Sequence, residues 1–258
     1  MNISRKILNS KIAQRFRRTL ALKSGIYCKV KVLAPTISEE MRTAKLLNHF
    51  RINKVIDVGA NTGQFAESLI DFGYKGEIIS FEPVSNAYEQ LQKRAQKYEN
   101  WHVAERCAIG NINGNIDINV SDDTVFSSIK TIKKEFTDNL SAAQTIKKEA
   151  VPIYKLDSLF EKYFDREESI FLKIDTQGFE KEVIEGATEL FTIAKGLKIE
   201  IPLVSDLEIY EDVEWDIYDY FNLFKKAEFK CMSLDSIAAN KETGIVNEVD
   251  GIFFRHKN

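Results

Sequence analysis

The sequence predicts an α/β fold, and three neighbouring features lead to that prediction. An apolar strand at residues 55–58 runs into a glycine turn at residues 59–63. A helical segment, Gln64–Asp71, follows the turn, and a second apolar strand, Glu77–Phe81, ends in the acid Glu82. Sheets of α/β proteins build nucleoside pockets in this order, since glycines let the backbone approach the ligand and a carboxylate after the second strand binds ribose hydroxyls. The sequence therefore indicates an enzyme with a nucleoside cofactor.

The glycine spacing favours S-adenosylmethionine over phosphate-containing cofactors. A dinucleotide site needs Gly-x-Gly-x-x-Gly, because the pyrophosphate lies on bare backbone at a helix N-terminus. Here the pattern from Asp57 to Gly63 is Asp-x-Gly-x-x-x-Gly, which lacks the middle glycine. The Asp57 carboxylate would repel a pyrophosphate but suits a sulfonium and an ammonium, and it is also able to cap the turn. Gln64 after Gly63 excludes the Gly-Lys-Ser/Thr ending of a nucleotide-binding P-loop.

Length and composition predict one catalytic domain. The 258 residues are 44% hydrophobic and include only 12 glycines and 4 prolines, so the chain is able to bury a substantial core. Cys28, Cys107 and Cys231 are widely spaced and odd in number, which argues against a disulfide framework or a zinc site and indicates a reducing compartment. No hydrophobic run approaches membrane-spanning length. We therefore expect a cytoplasmic protein.

The charge is unevenly distributed, and this defines a second region. Residues 1–38, the basic arm, hold nine basic residues and no acidic one, whereas the rest of the chain holds 27 basic and 39 acidic residues. Apolar side chains of the arm recur every four residues, at Leu8, Ile12, Phe16 and Leu20. A basic amphipathic helix suits an anionic membrane surface or, less well, an RNA backbone. A stripe that packs on the domain itself and an organelle transit peptide are the other interpretations. The domain is expected to span residues 39–258.

The remaining elements of the domain follow in chain order. Ser38 starts a helix that leads into the first strand, and residues 86–98 form the helix after the second strand. Further strands of the sheet are predicted at residues 101–104, 115–120, 150–155, 169–174, 197–201 and 252–255. The polar segment 121–128 is expected to overhang the carboxyl edge of the sheet, where ligands of open α/β sheets bind. Candidate substrate contacts in this segment are Asp122, Ser127 and Ser128. The alternative is an ordinary solvated loop.

A third motif covers residues 171–187, and with it the chain resembles a known family. Asp175 ends an apolar strand, a glycine turn follows, and Glu180 opens a helix, so both acids are expected to point toward the cleft above the strands. The motifs in order are Asp-Val-Gly-Ala-Asn-Thr-Gly (57–63), Phe-Glu-Pro (81–83), Leu-Asp-Ser-Leu (156–159), Leu-Lys-Ile-Asp-Thr-Gln-Gly-Phe-Glu (172–180) and Glu-Gly-Ala (185–187). In this combination the sequence resembles the FkbM-type methyltransferases, over residues 41–254.

The resemblance implies a class I S-adenosylmethionine-dependent O-methyltransferase. Such an enzyme is Rossmann-like, with a mostly parallel seven-stranded sheet, an antiparallel last strand and helices on both faces. It methylates a hydroxyl of a sugar or polyketide, and bacterial members often sit among genes for surface polysaccharides. On this chain Asp57 and the glycines would hold the methionine end and Glu82 the ribose. Ala108 would lie beside adenine, and Cys107-Ala108 stand where many class I enzymes place an acid, so apolar and backbone contacts are expected. The full set of expected cofactor contacts is Asp57, Gly59, Ala60, Asn61, Gly63, Glu82, Pro83 and Ala108.

Methylation of a hydroxyl also requires a base. A sugar hydroxyl has a very high pKa, so its proton must leave as its oxygen attacks the methyl group. The candidate catalytic residues are Asp175, Glu180 and Glu200, with His102 as a further candidate base. Asp175 is favoured, because it lies at a strand end between cofactor and solvent. Glu180 is alternatively a helix N-terminal acid, Glu200 a buried structural partner, and His102 a structural residue. No metal is assigned, and a divalent cation held by the three carboxylates is the alternative.

These features together predict an O-methyltransferase that acts on a sugar, glycan or glycolipid precursor inside the cell. Residues 1–23 would dock it on the anionic inner face of the membrane. One alternative is an RNA methyltransferase that holds phosphate with the arm. Another is a non-catalytic, partner-binding module that keeps the fold. No DNA substrate is expected, because the chain lacks the Asn/Asp-Pro-Pro-Tyr motif of DNA-amino methylases.

Overall fold

The computed structural model of the protein describes residues 38–203, 209–239 and 243–255. The amphipathic helix predicted in the basic arm lies outside the described residues. Within them, no helix combines the length and the apolar character that are needed to cross a membrane.

Strands and helices alternate along the described part of the chain. The strands are β1 (Lys54–Val58), β2 (Glu77–Phe81), β3 (Trp101–Val103), β4 (Ala108–Ile109), β5 (Gly114–Ser121), β6 (Thr145–Tyr154), β7 (Ile170–Ile174), β8 (Gly196–Pro202), β9 (Phe229–Ala239) and β10 (Val246–Arg255). The α-helices are α1 (Glu39–His49), α2 (Gln64–Asp71), α3 (Ser85–Ala95), α4 (Lys134–Asn139), α5 (Phe160–Tyr163), α6 (Glu180–Glu185), α7 (Thr188–Ile193) and α8 (Ile217–Lys226). Ser38 starts α1 as predicted, since its Oγ accepts a hydrogen bond from the backbone N–H of Met41 at 3.1 Å.

Seven strands form the main sheet, in the order β3-β2-β1-β7-β8-β10-β9. The first five of these strands run parallel to one another, and β10 is antiparallel to both β8 and β9. The predicted mostly parallel, seven-stranded sheet with an antiparallel last strand is therefore confirmed.

The centre of the main sheet is buried on both faces. Every residue of β1 and of β7 is buried. Successive side chains of a strand point to opposite faces, and Val55 and Ile56 accordingly belong to two different hydrophobic cores. Helices α1 and α2 supply one core, whereas α6, α7 and α8 supply the other. Helices thus cover both faces, as predicted.

Two predicted strands do not belong to the main sheet. Residues 115–120 and 150–155 fall in β5 and β6, which form a separate three-stranded sheet with β4. Asn115 and Asp117 of β5 are exposed, whereas a central parallel strand is buried on both faces. The seventh strand of the main sheet is instead β9. The apolar pattern does not reveal it, because an edge strand carries polar side chains among the apolar ones.

Two segments form a cap over the carboxyl edge of the main sheet. The cap consists of residues 122–144, between β5 and β6, and residues 209–216, after β8. The backbone N–H of Lys133 donates to the carbonyl oxygen of Ile209 at 2.9 Å and so joins the two segments. Their buried side chains form a small core of their own, made of Ile132, Ala143, Ile209 and Tyr210.

Candidate active site

A cleft opens beneath the cap, where β1, β2 and β7 end. Its walls come from the glycine turn after β1, the segments after β2 and β7, β4, and residues 124–129 of the cap. The predicted site residues that line it are Gly59, Ala60, Asn61, Glu82, Pro83, Ala108, Ser127, Ser128 and Asp175. The predicted residues outside this lining are Asp57, Gly63, Asp122, Glu180 and Glu200. The cleft lies at the carboxyl edge of the sheet, where ligands of this fold class bind.

The turn after β1 needs glycine because neighbouring groups leave no room for a side chain. Gly59 has a φ of +74°, and a Cβ there would lie 1.8 Å from the carbonyl oxygen of Asp175. Gly63 has a φ of +92° and precedes α2, and its Cβ would lie 2.5 Å from the ring of Trp101. A left-handed φ and a close approach both favour glycine. Gly59 therefore allows the backbone after β1 to lie close to the backbone after β7 at the cleft. Gly63 allows the turn to pack against the ring of Trp101.

Asp57 lies below the cleft, in a row of polar side chains across the sheet. Its carboxylate is fully buried, and it accepts a hydrogen bond from Ser80 Oγ at 3.0 Å on Oδ2. The Nζ of Lys173 lies 3.1 Å from Oδ1. Ser80, Asp57 and Lys173 are register partners on β2, β1 and β7, so their side chains leave the same face of the sheet. Asp57 therefore does not line the cleft itself, but it pairs with Lys173, which does.

Lys173 lines the cleft and is not among the residues predicted from the sequence. Its Nζ donates to the carbonyl oxygen of Gly59 at 2.8 Å and lies 3.4 Å from Asp175 Oδ2. Burial opposes its charge, but the carboxylates of Asp57 and Asp175 outweigh burial and raise the pKa of Lys173. It is therefore a buried cation that joins the glycine turn to the end of β7. One feature of the sequence could have identified Lys173 as a site residue. It is a charged residue inside an apolar strand, and a buried charge needs a partner.

Glu82 is buried beside the glycine turn. Its Oε2 accepts the backbone N–H of Asn61 at 2.7 Å, and its Oε1 accepts that of Val84 at 2.8 Å. Burial raises the pKa of Glu82 to about 7, although these two hydrogen bonds act against the increase. A carboxylate oxygen has more than one lone pair, so Glu82 is still able to accept hydroxyl donors from a ligand.

Apolar residues form the wall on the β4 side of the cleft. The wall residues are Cys107, Ala108, Ile109 and Ile118. Burial raises the pKa of the Cys107 thiol to about 12, so the thiol is neutral and behaves as a small apolar group. This wall offers apolar surface and backbone to a ligand, and it carries no acid.

Asp175 lies at the rim of the cleft, and Gln177 joins it to Glu200, which is outside the lining. Gln177 Nε2 donates to Asp175 Oδ1 and to Glu200 Oε2, both at 2.9 Å. Burial opposes the ionisation of Asp175, but Lys173 and Lys198 outweigh burial and lower the pKa of this carboxyl. Burial and the neighbouring Asp175 raise the pKa of Glu200 well above its ordinary value. Of the two carboxyl groups, Asp175 therefore ionises more readily and Glu200 holds its proton more strongly.

Glu180 and His102, like Glu200, lie outside the cleft lining. Glu180 Oε1 accepts two hydrogen bonds from Thr176, one from its backbone N–H at 2.7 Å and one from its side-chain hydroxyl at 3.1 Å. Burial raises the pKa of Glu180 to about 7. These contacts tie the start of α6 to the turn after β7. His102 is exposed on β3, 3.6 Å from Glu77. Within the described ranges, no three histidine, cysteine or acidic residues are grouped so that they could hold a metal ion.

The predicted substrate segment is divided between the cleft and the surface. Asp122 is exposed and outside the lining. Ser127 Oγ accepts the backbone N–H of Ser121 at 3.1 Å. Ser128 Oγ donates to the carbonyl oxygen of Gln177 at 2.6 Å and thereby ties the cap to the turn after β7.

Comparison with known proteins gives one family match. Residues 57–231 match the family model described as the methyltransferase FkbM domain. No curated protein sequence matches the chain.

Several solved structures resemble the chain at low sequence identity. Methyltransferase FkbM from Methylobacillus flagellatus KT is 16% identical over 79% of this chain and 43% of that chain, with a TM-score of 0.49. A SAM-dependent methyltransferase from Aquifex aeolicus is 14% identical over 86% of this chain and 93% of that chain, with a TM-score of 0.41. Magnesium protoporphyrin IX methyltransferase from Synechocystis PCC 6803, solved with bound SAM, is 11% identical over 98% of this chain and 96% of that chain, with a TM-score of 0.44. The chain thus spans less than half the length of the M. flagellatus protein.

Proposed function

Because the chain belongs to the FkbM methyltransferase family, we propose that it methylates a hydroxyl group of a sugar with S-adenosylmethionine as the donor. The acceptor would be a glycan or glycolipid precursor. One observation carries the proposal: the ionised Asp175 lines the same cleft as the glycine turn and Glu82. A nucleoside cofactor and a methyl acceptor would therefore meet beside a carboxylate.

The residues of the cleft fit S-adenosylmethionine. Glu82 offers a carboxylate to ribose hydroxyls, the wall at 107–109 offers apolar surface to adenine, and Gly59 and Ala60 offer backbone to the methionine end. The charged groups around the floor are Asp57, Glu82, Lys173 and Asp175. Carboxylates outnumber the ammonium there, which favours a cationic ligand over a pyrophosphate. When bound, the cofactor supplies a methyl group on a positively charged sulfur.

Asp175 is the group that we assign to the acceptor proton. A hydroxyl that donates a hydrogen bond to this carboxylate has its oxygen aligned for attack. The hydroxyl becomes strongly acidic as its oxygen bonds to carbon, so a carboxylate with a lowered pKa is able to take the proton late in the transfer. Glu200 holds its proton more strongly than Asp175 does, and a hydrogen bond from Glu200 lowers the pKa of Asp175.

The cap supports this function by its position and its chemistry. Thr124 Oγ1 donates to Asn61 Oδ1 at 3.1 Å, so the cap contacts the glycine turn across the cleft. A covered cleft excludes water, which strengthens the electrostatic interactions inside it. Thr124, Ser127 and Ser128 of the cap belong to the lining of the cleft, and the hydroxyl groups of Thr124 and Ser128 tie the cap to the turns after β1 and β7.

Transfer of a labelled methyl group to matched acceptor panels tests the proposal. One panel contains sugars, glycans and lipid-linked sugars, and the other contains RNA transcripts. We expect label in the first panel only, because the chain outside the arm holds 39 acidic against 27 basic residues and would repel a polyphosphate. Label in RNA that persists at physiological salt would favour the RNA methyltransferase. Absence of label in both panels, together with absence of cofactor binding, would favour the partner-binding module.

The raised pKa of Glu82 predicts that cofactor affinity increases with pH. The folded protein holds the Glu82 proton up to about pH 7, so the carboxylate forms only as the pH rises past this value. A hydrogen bond from a ribose hydroxyl to a charged acceptor is about 1 kcal/mol stronger than one to a neutral acceptor, which corresponds to about fivefold in Kd. We expect calorimetry with S-adenosylmethionine to show most of this gain between about pH 6 and about pH 8, because the carboxyl changes there from mainly protonated to mainly ionised.

Glu82→Gln is the control, and we expect it to bind with a weaker pH dependence than the wild type. Equal pH dependence in the two proteins would contradict the assignment of Glu82 to the ribose. The effect on folding has the opposite sign, because burial favours the protonated form. The stability that Glu82 contributes is fully present below its ordinary pKa of 4.5 and is lost as the pH rises through about 7.

We further propose that residues 1–23 attach the enzyme to the anionic inner face of the membrane, where lipid-linked sugars are assembled. The basic residues and the four-residue apolar spacing of the arm support this proposal. In co-sedimentation with vesicles of phosphatidylglycerol, we expect the full chain to sediment and a chain without residues 1–23 to stay in solution. Vesicles of phosphatidylcholine serve as the neutral control. Equal sedimentation of the two chains would exclude the arm as the anchor.

A further inference from the structure

Gln177 has an unusual backbone conformation for its residue type. Its φ is +57°, and Gly178 follows with a φ of +89°, so the turn after β7 contains two consecutive left-handed residues. Left-handed φ is unfavourable for a residue with a long side chain. The cap holds this conformation in place, since Ser128 Oγ donates to the Gln177 carbonyl oxygen at 2.6 Å. A strained residue beside a cleft points to a role for its side chain.

The side-chain amide of Gln177 is hydrogen-bonded at both ends. Its Nε2 donates to Asp175 Oδ1 and to Glu200 Oε2, each at 2.9 Å. Its Oε1 accepts from the hydroxyl of Tyr210 at 2.8 Å. This set of partners fixes the orientation of the amide, because only the nitrogen has two hydrogens to offer to two carboxyl groups. Gln177 thus links the end of β7, β8 and the cap.

We propose that Gln177 is a positioning residue for methyl transfer, which holds the carboxyl groups of Asp175 and Glu200 in one fixed arrangement at the rim of the cleft. The proposal rests on the proposed function, in which Asp175 receives the proton of the acceptor. Gln177 Nε2 donates to Oδ1 of Asp175, and Lys173 Nζ lies 3.4 Å from Oδ2. Because both oxygens have a partner, the carboxylate group does not rotate freely. The remaining lone pairs of this carboxylate are then held toward the acceptor.

Gln177 is a neutral donor within a crowded set of charged groups. The groups that face Asp175 are Lys173 on β7, Lys198 and Glu200 on β8, Glu248 and Asp250 on β10, Glu180 on α6 and Tyr210 in the cap. Two adjacent carboxyl groups repel each other when both are ionised. An amide N–H offered to each of them stabilises the pair without adding charge, so loss of the amide favours protonation of Asp175.

Gln177→Met tests this role, because methionine keeps the length of the side chain but has no N–H to donate. In protein labelled with carbon-13 in its aspartates, the Asp175 carboxyl signal is identified by its absence in Asp175→Asn and is then titrated. We expect Asp175 to titrate at a pH at least about half a unit higher in the variant than in the wild type. The matched control is Gln90→Met on α3, which removes an exposed amide and should leave this titration unchanged.

A second variant separates the backbone strain from the reach of the side chain. Gln177→Asn tolerates the left-handed conformation, but its amide is shorter by one methylene and does not reach both carboxyl groups. We expect the same upward shift of the Asp175 titration. A wild-type titration in either folded variant overturns the proposal, and so does failure of both variants to fold, since Gln177 would then be structural.

The titration requires no acceptor, so its outcome is independent of the proposed methyl transfer. Once an acceptor is available, both variants should lower kcat while the KM for the cofactor stays unchanged. The acidic limb of their pH–rate profile should also move to higher pH.

Discussion

Asp175→Asn is expected to slow methyl transfer by about 10²–10⁴-fold, the usual contribution of a positioned proton acceptor. The asparagine side chain keeps the shape of the carboxylate and still accepts a hydrogen bond from Gln177, but it does not take up a proton. Lys173 keeps its ion pair with Asp57, so the fold and the cofactor site should be preserved. Single-turnover methyl transfer measures the rate, and calorimetry with S-adenosylmethionine measures cofactor binding.

Asp117→Asn provides the matched control, because Asp117 is exposed on β5 and outside the lining of the cleft. This variant should retain the wild-type rate. Wild-type turnover by Asp175→Asn would show that Asp175 does not accept the proton, and another acid near the cleft would then be the candidate base. Loss of cofactor binding in Asp175→Asn would instead show that the carboxylate serves the cofactor more than the acceptor.

Lys173→Met is expected to destabilise the protein by about 3–5 kcal/mol, the usual cost of removing one partner of a buried ion pair. Lys173 Nζ lies 3.1 Å from Asp57 Oδ1, and the Asp57 side chain is fully buried, so the variant leaves that charge without its cation. The turn loses a further contact, because Lys173 also donates to the carbonyl oxygen of Gly59. Urea unfolding measures the change in the free energy of unfolding.

Two companion variants make the origin of this loss clear. Lys93→Met changes an exposed lysine on α3 and should alter the free energy of unfolding by less than about 0.5 kcal/mol. The double variant Asp57→Asn/Lys173→Met removes both charges and should recover a large part of the stability that Lys173→Met loses. A double variant no more stable than Lys173→Met would show that packing of the lysine stem, and not the ion pair, carries the effect.

The elements that the sequence predicts correctly are those with a complete local signal. Gly59, Glu82 and Asp175 each follow an apolar strand directly, and the carboxyl ends of parallel strands share one edge of the sheet. Their approach to one cleft therefore follows from their positions along the chain. β9 lacks such a signal, because an edge strand is covered on fewer sides and its sequence mixes polar with apolar residues. The separate sheet of β4, β5 and β6 also lacks a local signal, because the apolar patterns of its strands resemble those of strands in the main sheet. Only the pairing between these segments separates them from the main sheet.

The sequence by itself determined the α/β class, the strand–turn–acid order and the kind of cofactor that this order suits, because these depend on residues adjacent in the chain. Only the tertiary structure decided that Asp57 faces Lys173, and that Gln177 joins Asp175 to Glu200. Asp57 and Lys173 come from different strands, and Glu200 lies on β8 whereas Asp175 and Gln177 follow β7, so these contacts depend on the register between the strands. A slip of one residue would turn each side chain to the opposite face of the sheet, and residue types alone do not specify the register.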